Sequence, residues 1–205
     1  MNKKKYDICI TDYGMGNVFG LDMALKKIGL NSIITSDLNI IENSKALVLP
    51  GVGSFGSAMI NIKKKNIDIA IKDFHKKKKI IIGICLGMQL LFDESEENNC
   101  KQGLKILSGK VIPLQNNKKL NIGWSQNYSN MNNDIAKIIN LNKTYFIHSY
   151  VASPKDKSII LSKSKFNNLT FCSSVNYENV YGFQFHPEKS GNIGLSILKQ
   201  ISKKI

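Results

Sequence analysis

The sequence predicts one α/β domain whose central sheet is mixed, mostly parallel and flanked by helices. Three observations carry that expectation. Between Tyr6 and Phe92, short β-branched apolar runs alternate with segments whose apolar residues recur at helical spacing, the signature of strand–helix–strand units and so of parallel pairing. Beyond Gly109, strand follows strand with little helix between, which adds antiparallel strands to the same sheet. Nothing in the 205 residues reads as a repeat, a linker or a boundary, so a single domain over 1–205 is expected.

Taken in order, Tyr6–Thr11 is the first strand. Asn17–Ile28 is a helix because Val18, Leu21, Ala24, Leu25 and Ile28 share a face, and Gly29 follows where helices commonly stop. Ser32–Thr35 and Ala46–Leu49 are short strands, and Ser57–Phe74 reads as one helix. Ile80–Ile84 is a fourth, buried strand, and Leu86–Phe92 reads as the start of a helix. The polar stretches Asp93–Asn99 and Asn127–Asn133 read as loops. Lys110–Pro113, Lys143–Ile147, Ser158–Ser162, Thr170–Val175 and Tyr181–Phe185 are the later strands. Asn192–Ile201, apolar at Ile193, Ile197, Leu198 and Ile201, is the closing helix.

Composition narrows the function. The formal charge is +14, but all 29 basic residues are lysine. Lysine is a point charge without arginine's bidentate fork, and the runs Lys63–Lys65 and Lys76–Lys79 flank predicted helix ends. No nucleic-acid partner is therefore expected, although the field would attract anionic metabolites or an acidic partner. No apolar run approaches the ~18–20 residues of a membrane span, so no membrane is expected. The stretch after the basic Met1–Lys5 is too short for a signal-peptide core. Cys9, Cys85, Cys100 and Cys172 are scattered, with neither metal-ligand nor disulfide spacing. The expected compartment is a reducing cytoplasm, and no metal is expected.

The chemistry concentrates at Gly83-Ile84-Cys85-Leu86-Gly87, directly after a buried strand. Here a cysteine sits at a sharp strand-to-helix turn with glycine two positions to either side. The serine version of this spacing is the nucleophile elbow, and the start of a helix favours thiolate. Such a nucleophile needs a base, and the chain has three histidines. His75 lies in a lysine run and reads as surface. His148 reads as a strand-end residue lining the site. His186 precedes Pro187-Glu188; proline forces the chain out of the strand, and Glu188 can turn back to fix the imidazole tautomer. The implied reaction is acyl transfer to Cys85, with His186 as base and then acid.

Two glycine loops compete for attention. Gly51-Val52-Gly53-Ser54-Phe55-Gly56 matches the dinucleotide fingerprint, but Pro50 intervenes after the strand and no acid stands about 20 residues on. Gly14–Gly20 has the wrong spacing by one. A dinucleotide-binding module is the remote alternative. The preferred reading puts both loops beside Cys85 at the carboxyl edge of the sheet, where backbone N–H groups can meet a carboxylate or oxyanion, and no cofactor is expected.

Gly83–Phe92 and Gly182-Phe183-Gln184-Phe185-His186-Pro187-Glu188-Lys189-Ser190 together resemble the nucleophile and histidine–glutamate segments of class I glutamine amidotransferases, whose fold is flavodoxin-like. Asp12–Val18, Leu49–Gly56 and Tyr145–Tyr150 resemble one branch, the glutaminase subunits of imidazole glycerol phosphate synthases. The resemblance implies a Cys85–His186–Glu188 triad that hydrolyses glutamine to glutamate and ammonia. It implies oxyanion donors at Leu86 and Val52, the latter through a peptide flip, and glutamine binding by Gly53, Gln89, His148, Ser149 and Tyr150. It also implies a heterodimer with a (β/α)8-barrel cyclase subunit that receives the ammonia in histidine biosynthesis. Asn121, Gly123 and Trp124 fall at the docking face. There Leu120-Asn121-Ile122-Gly123-Trp124-Ser125 departs from the family's usual Pro-His-Met-Gly-Trp-Asn, which leaves an amidino-sugar pathway of surface polysaccharides as the alternative ammonia acceptor.

Overall fold

The computed structural model describes residues 5–98, 101–114 and 120–205; Met1–Lys4, Asn99 and Cys100 lie outside the described residues. The chain runs β1 (Ile8–Thr11), α1 (Val18–Lys27), β2 (Ser32–Thr35), α2 (Leu38–Asn43), β3 (Ala46–Leu49), α3 (Phe55–Lys64), α4 (Ile67–Lys76), β4 (Ile80–Ile84) and α5 (Leu86–Leu90). It continues through β5 (Phe92–Ser95), β6 (Lys101–Gln102), β7 (Leu107–Pro113), β8 (Asn121–Tyr128), α6 (Asp134–Ile139), β9 (Lys143–His148) and β10 (Tyr150–Pro154). β11 (Ile160–Phe166), β12 (Leu169–Tyr177), β13 (Val180–Phe183) and α7 (Gly191–Ser202) complete it.

Nine strands form the main sheet in the order β2-β1-β3-β4-β13-β12-β11-β8-β9. Pairing is parallel from β2 across to β13 and antiparallel from β13 to β9. Strand residues alternate between two apolar layers. Cys9, Leu47, Leu49 and Ile81 pack with Phe55, Ile71 and Phe74 on one face. Ile8, Ile10, Val48 and Ile82 pack with Leu21, Leu25 and Ile197 on the other. Burial on both faces explains why these strands read as unbroken apolar runs. No helix among the described residues is long and apolar enough to cross a membrane.

Four expectations need correction. Not every later strand joins the main sheet, because β10-β7-β5-β6 form a second sheet of four. Both sides of β4 are already taken, by β3 and β13, so the chain leaving α5 has no place beside it. Asp93–Ser95, read as loop, belongs to β5 because it pairs with β6 and β7, a case of pairing overriding propensity. The helix expected over Ser57–Phe74 is two helices, broken where Asn66 adopts a left-handed φ of 56°, which asparagine tolerates. The polar stretch from Asn127 is partly strand and partly cap, since Asn133 accepts a hydrogen bond from the Ala136 N–H at the start of α6.

The carboxyl ends of β1, β3 and β4 open on one edge, where ligands of open α/β sheets bind. The β3 and β4 turns can meet there only because Gly87 lacks a side chain: a Cβ on it would stand 1.9 Å from the Leu49 carbonyl oxygen. That oxygen belongs to backbone and cannot swing aside. Gly87→Ala should therefore cost about 1–3 kcal/mol or more, seen as a lowered Tm with loss of activity; an unchanged Tm would contradict this close approach.

Candidate active site

Cys85 follows β4 with a φ of 53°, a strained value for a residue other than glycine. The strain is held from both sides. The Cys85 N–H donates to the Phe183 carbonyl at 2.6 Å, and the Cys85 carbonyl accepts from the Gln89 N–H at 3.2 Å. α5 is only five residues long, so its contribution is the free N–H groups of the first turn, Leu86 among them, rather than a long dipole. The Cys85 sulfur lies 3.5 Å from the Ile147 carbonyl oxygen and 3.6 Å from Gln184 Nε2. Burial pushes the thiols of Cys9 and Cys172 up to about 12, which leaves them inert as nucleophiles.

Beyond β13 the chain turns toward β9, and the His186 N–H donates to the Tyr145 carbonyl at 2.9 Å. A single turn of 3₁₀ helix, Pro187–Lys189, brings Glu188 back beneath the imidazole. His186 Nδ1–H donates to Glu188 Oε1 at 2.9 Å, with both side chains almost wholly buried. His186 Nε2 is buried without a hydrogen-bond partner, and the Cys85 sulfur is close enough to act on the ring's charge. Burial favours neutral imidazole, but the sulfur and the Glu188 carboxylate outweigh it and raise the imidazole to about 10.

His148 is the opposite case. Burial, with a smaller push from the His186 charge, lowers it to about 4. Its Nδ1 lies 3.0 Å from the Tyr150 carbonyl, which can only accept, so Nδ1 carries the proton. Nε2 must then accept from Asn121 Nδ2 at 3.0 Å. The same Tyr150 carbonyl accepts from Gln89 Nε2 at 2.9 Å, and Gln89 Nε2 also donates to Gln184 Oε1 at 3.0 Å.

These residues border a cavity of about 260 Å³ lined by Val52, Gly53, Cys85, Leu86, Gln89, Glu97, Leu120, Ile147, His148, Ser149 and Tyr150. Its size, below that of typical drug-sized sites, suits one small polar molecule. Cys85 and all seven residues expected to bind substrate or oxyanion thus share one pocket, while His186 and Glu188 are not among its lining residues. Gly53 takes a φ of 116°. Tyr13, fully buried, donates its hydroxyl hydrogen to the Pro50 carbonyl and so fixes the start of this loop. Gly56, the last glycine of the apparent dinucleotide fingerprint, is buried inside α3. Among the described residues no group of three or more His, Cys, Asp or Glu side chains could hold a metal ion.

Two participants escaped the sequence reading. Glu97 lines the cavity and accepts from the Phe55 N–H at 2.8 Å. Nothing in the run Asp93-Glu94-Ser95-Glu96-Glu97 sets it apart from Glu96, which pairs with Lys110 instead. Gln184 lay inside the histidine segment without a role. At the expected docking face, Asn121 points inward and is 1% exposed, whereas Leu120, Ile122, Trp124 and Tyr128 form an exposed apolar stripe. Gly123 lies between them with a φ of 129°, and the Trp124 ring meets Tyr145 edge to face.

Because Glu188 helps hold the His186 proton, Glu188→Gln should move the His186 titration to lower pH, read from its NMR ring signals. An unmoved midpoint would contradict the assignment. The raised folded value also sets a pH dependence: the stability it contributes is complete below about 6.5 and is lost as pH rises through about 10.

The model of the family "Glutamine amidotransferase class-I" matches residues 9–203. An imidazole glycerol phosphate synthase subunit HisH of Pyrococcus furiosus is 42% identical over 197 residues, covering 96% of this chain and 98% of that protein. The subunit of the same name from Aquifex aeolicus is 40% identical, covering 95% of each chain. Among solved structures, PurLQS from Thermotoga maritima superposes with a TM-score of 0.77 at 17% identity, covering 98% of this chain and 99% of that one, a likeness of fold. The chain belongs to the class-I glutamine amidotransferase family.

Proposed function

We propose that this protein is the glutaminase subunit of an imidazole glycerol phosphate synthase, a single amidotransferase domain acting in the cytoplasm. The observation that carries the reading is the near-full-length similarity, about 40% identity, to subunits of that name. The departure at Leu120–Ser125 leaves an amidino-sugar acceptor as the alternative. It weighs less now that Asn121 has an internal partner in His148, and the exposed apolar stripe of β8 still offers a surface for a (β/α)8-barrel cyclase partner.

In this mechanism the Cys85 thiolate attacks the side-chain amide carbon of glutamine. The carbonyl electrons become an oxyanion, met by the N–H groups of Leu86 and, after its peptide flips, Val52; each such donor is worth roughly 3–4 kcal/mol. Collapse breaks the C–N bond while His186 Nε2–H supplies the proton that lets ammonia leave. Water then attacks the thioester, His186 takes its proton, and the C–S bond breaks to release glutamate and restore the thiolate. Glu188 holds the imidazole in the one tautomer that allows both transfers. Gly53, Gln89 and the His148–Tyr150 segment hold the amino-acid end of glutamine, and the Glu97 carboxylate faces its α-ammonium.

Cys85→Ala should abolish glutamine-dependent synthase turnover in the complex and leave turnover with added ammonium; loss of both would count against ammonia transfer between subunits. Glu97→Gln should raise KM for glutamine by about tenfold with a smaller change in kcat, and an unchanged KM would remove Glu97 from the site. The isolated subunit should be nearly silent, since the Val52 flip awaits the partner. Steady-state glutaminase rates as fast alone as in the complex would refute that.

A further inference from the structure

We propose that Gln184 is a catalytic residue, a hydrogen-bond donor of fixed polarity to the Cys85 sulfur, aligned by the Tyr150 carbonyl acting through Gln89. The proposal rests on the reading of Cys85 as nucleophile and adds a group that touches the reacting atom. Gln184 follows β13 between Phe183 and Phe185 and is fully buried. Which end of its amide meets the sulfur decides what it does, because the oxygen only accepts and the nitrogen only donates.

Its neighbours leave one arrangement. A backbone carbonyl, Tyr150, must receive the Gln89 nitrogen. The second hydrogen on that nitrogen goes to Gln184, so the atom there is Oε1. Gln184 Nε2 is then left facing the Cys85 sulfur at 3.6 Å, a normal N–H···S separation given the size of sulfur. Turning Gln184 over would oppose two NH2 groups and press an oxygen on the sulfur. Turning Gln89 over would oppose two carbonyl oxygens. Both are costly where no water can intervene. His148 Nδ1–H occupies the other lone pair of the Tyr150 carbonyl and is itself held by Asn121, so the anchor of the chain is fully engaged.

Besides the His186 imidazole, the sulfur therefore has two polar contacts with opposite preferences. The Ile147 carbonyl can only accept, which a thiol S–H satisfies. The Gln184 N–H can only donate, and such a bond strengthens when its acceptor carries charge. The thiolate keeps the second contact. Gln184 thus supports the sulfur when it attacks, and again when the thioester C–S bond breaks and the electron pair returns to sulfur. The titratable groups around this site are His186 with Glu188 behind it, Tyr13, His148 and Glu97, and none is altered in the variants below.

The test is the pH profile of Cys85 alkylation by iodoacetamide in the full-length protein without glutamine. Gln184→Met, a near-isostere without a donor, should move the profile up by about one pH unit, roughly tenfold slower alkylation on the acid side. Gln89→Leu, which removes no contact to the sulfur, should move it the same way by less. The double variant should move it no further than Gln184→Met alone. Profiles of Gln184→Met that superimpose on wild type would overturn the proposal, as would fully additive shifts. Should Gln184→Met fail to fold, as judged by thermal melting, an unmoved Gln89→Leu profile overturns it equally. If wild-type protein with Cys85 alkylated keeps its glutaminase turnover when assembled with the synthase partner, the nucleophile reading fails instead.

Discussion

At the edge of the main sheet the backbone of Gly87 rests against the Leu49 carbonyl with no side chain between them. That approach sets the distance between the Pro50–Ser54 loop and the Cys85 elbow, and so the width of the cavity they share. It also demands the tight turn that drives Cys85 to a positive φ. Strain of this kind persists only where surrounding structure over-determines it. The over-determination comes from β13, whose Phe183 carbonyl receives the Cys85 N–H. The chain leaving that strand carries Gln184 and His186 to the sulfur, so the pairing that holds Cys85 also brings these groups to it.

The electrostatics follow from that geometry. Two histidines lie near one sulfur and are pushed apart in charge by their partners. His186 sits on a buried carboxylate and beside sulfur, which hold its proton on; the ring nitrogens of His148 meet a carbonyl and an asparagine amide, and burial drives it neutral. Separation of this sort distinguishes a proton-transfer group from a positioning one. The Tyr150 carbonyl joins the two sides of the pocket, with His148 and Gln89 as its donors. Buried polar groups are normally satisfied, and among the described residues the site's unpartnered atoms are His186 Nε2, where the proposed mechanism moves a proton, and the second oxygen of Glu188.

Much of this was legible in the chain because it is local. A β-branched run, a cysteine between two glycines and a following helix are set by neighbours a few residues apart, and so is the return of Glu188 beneath His186 around Pro187. The early strands and α1 and α7 matched for the same reason, since each buries a face whose period is written in the sequence. The break at Asn66 was hidden because apolar spacing continues through it. β5 was hidden because its polar residues become a strand only by pairing with β6 and β7.

The sequence by itself determined the chemistry: a cysteine at an elbow, a histidine with an orienting glutamate, and glycines where backbones must approach. Only the tertiary structure decided which residues surround that cysteine. Glu97 entered the cavity rather than Glu96, Asn121 turned inward beneath an exposed apolar stripe, and Gln184 met the sulfur nitrogen-first. Each of these depends on contacts between segments far apart in the chain. The strand order that creates them is fixed by which edges remain free to pair, a property of the assembled sheet and of no single segment.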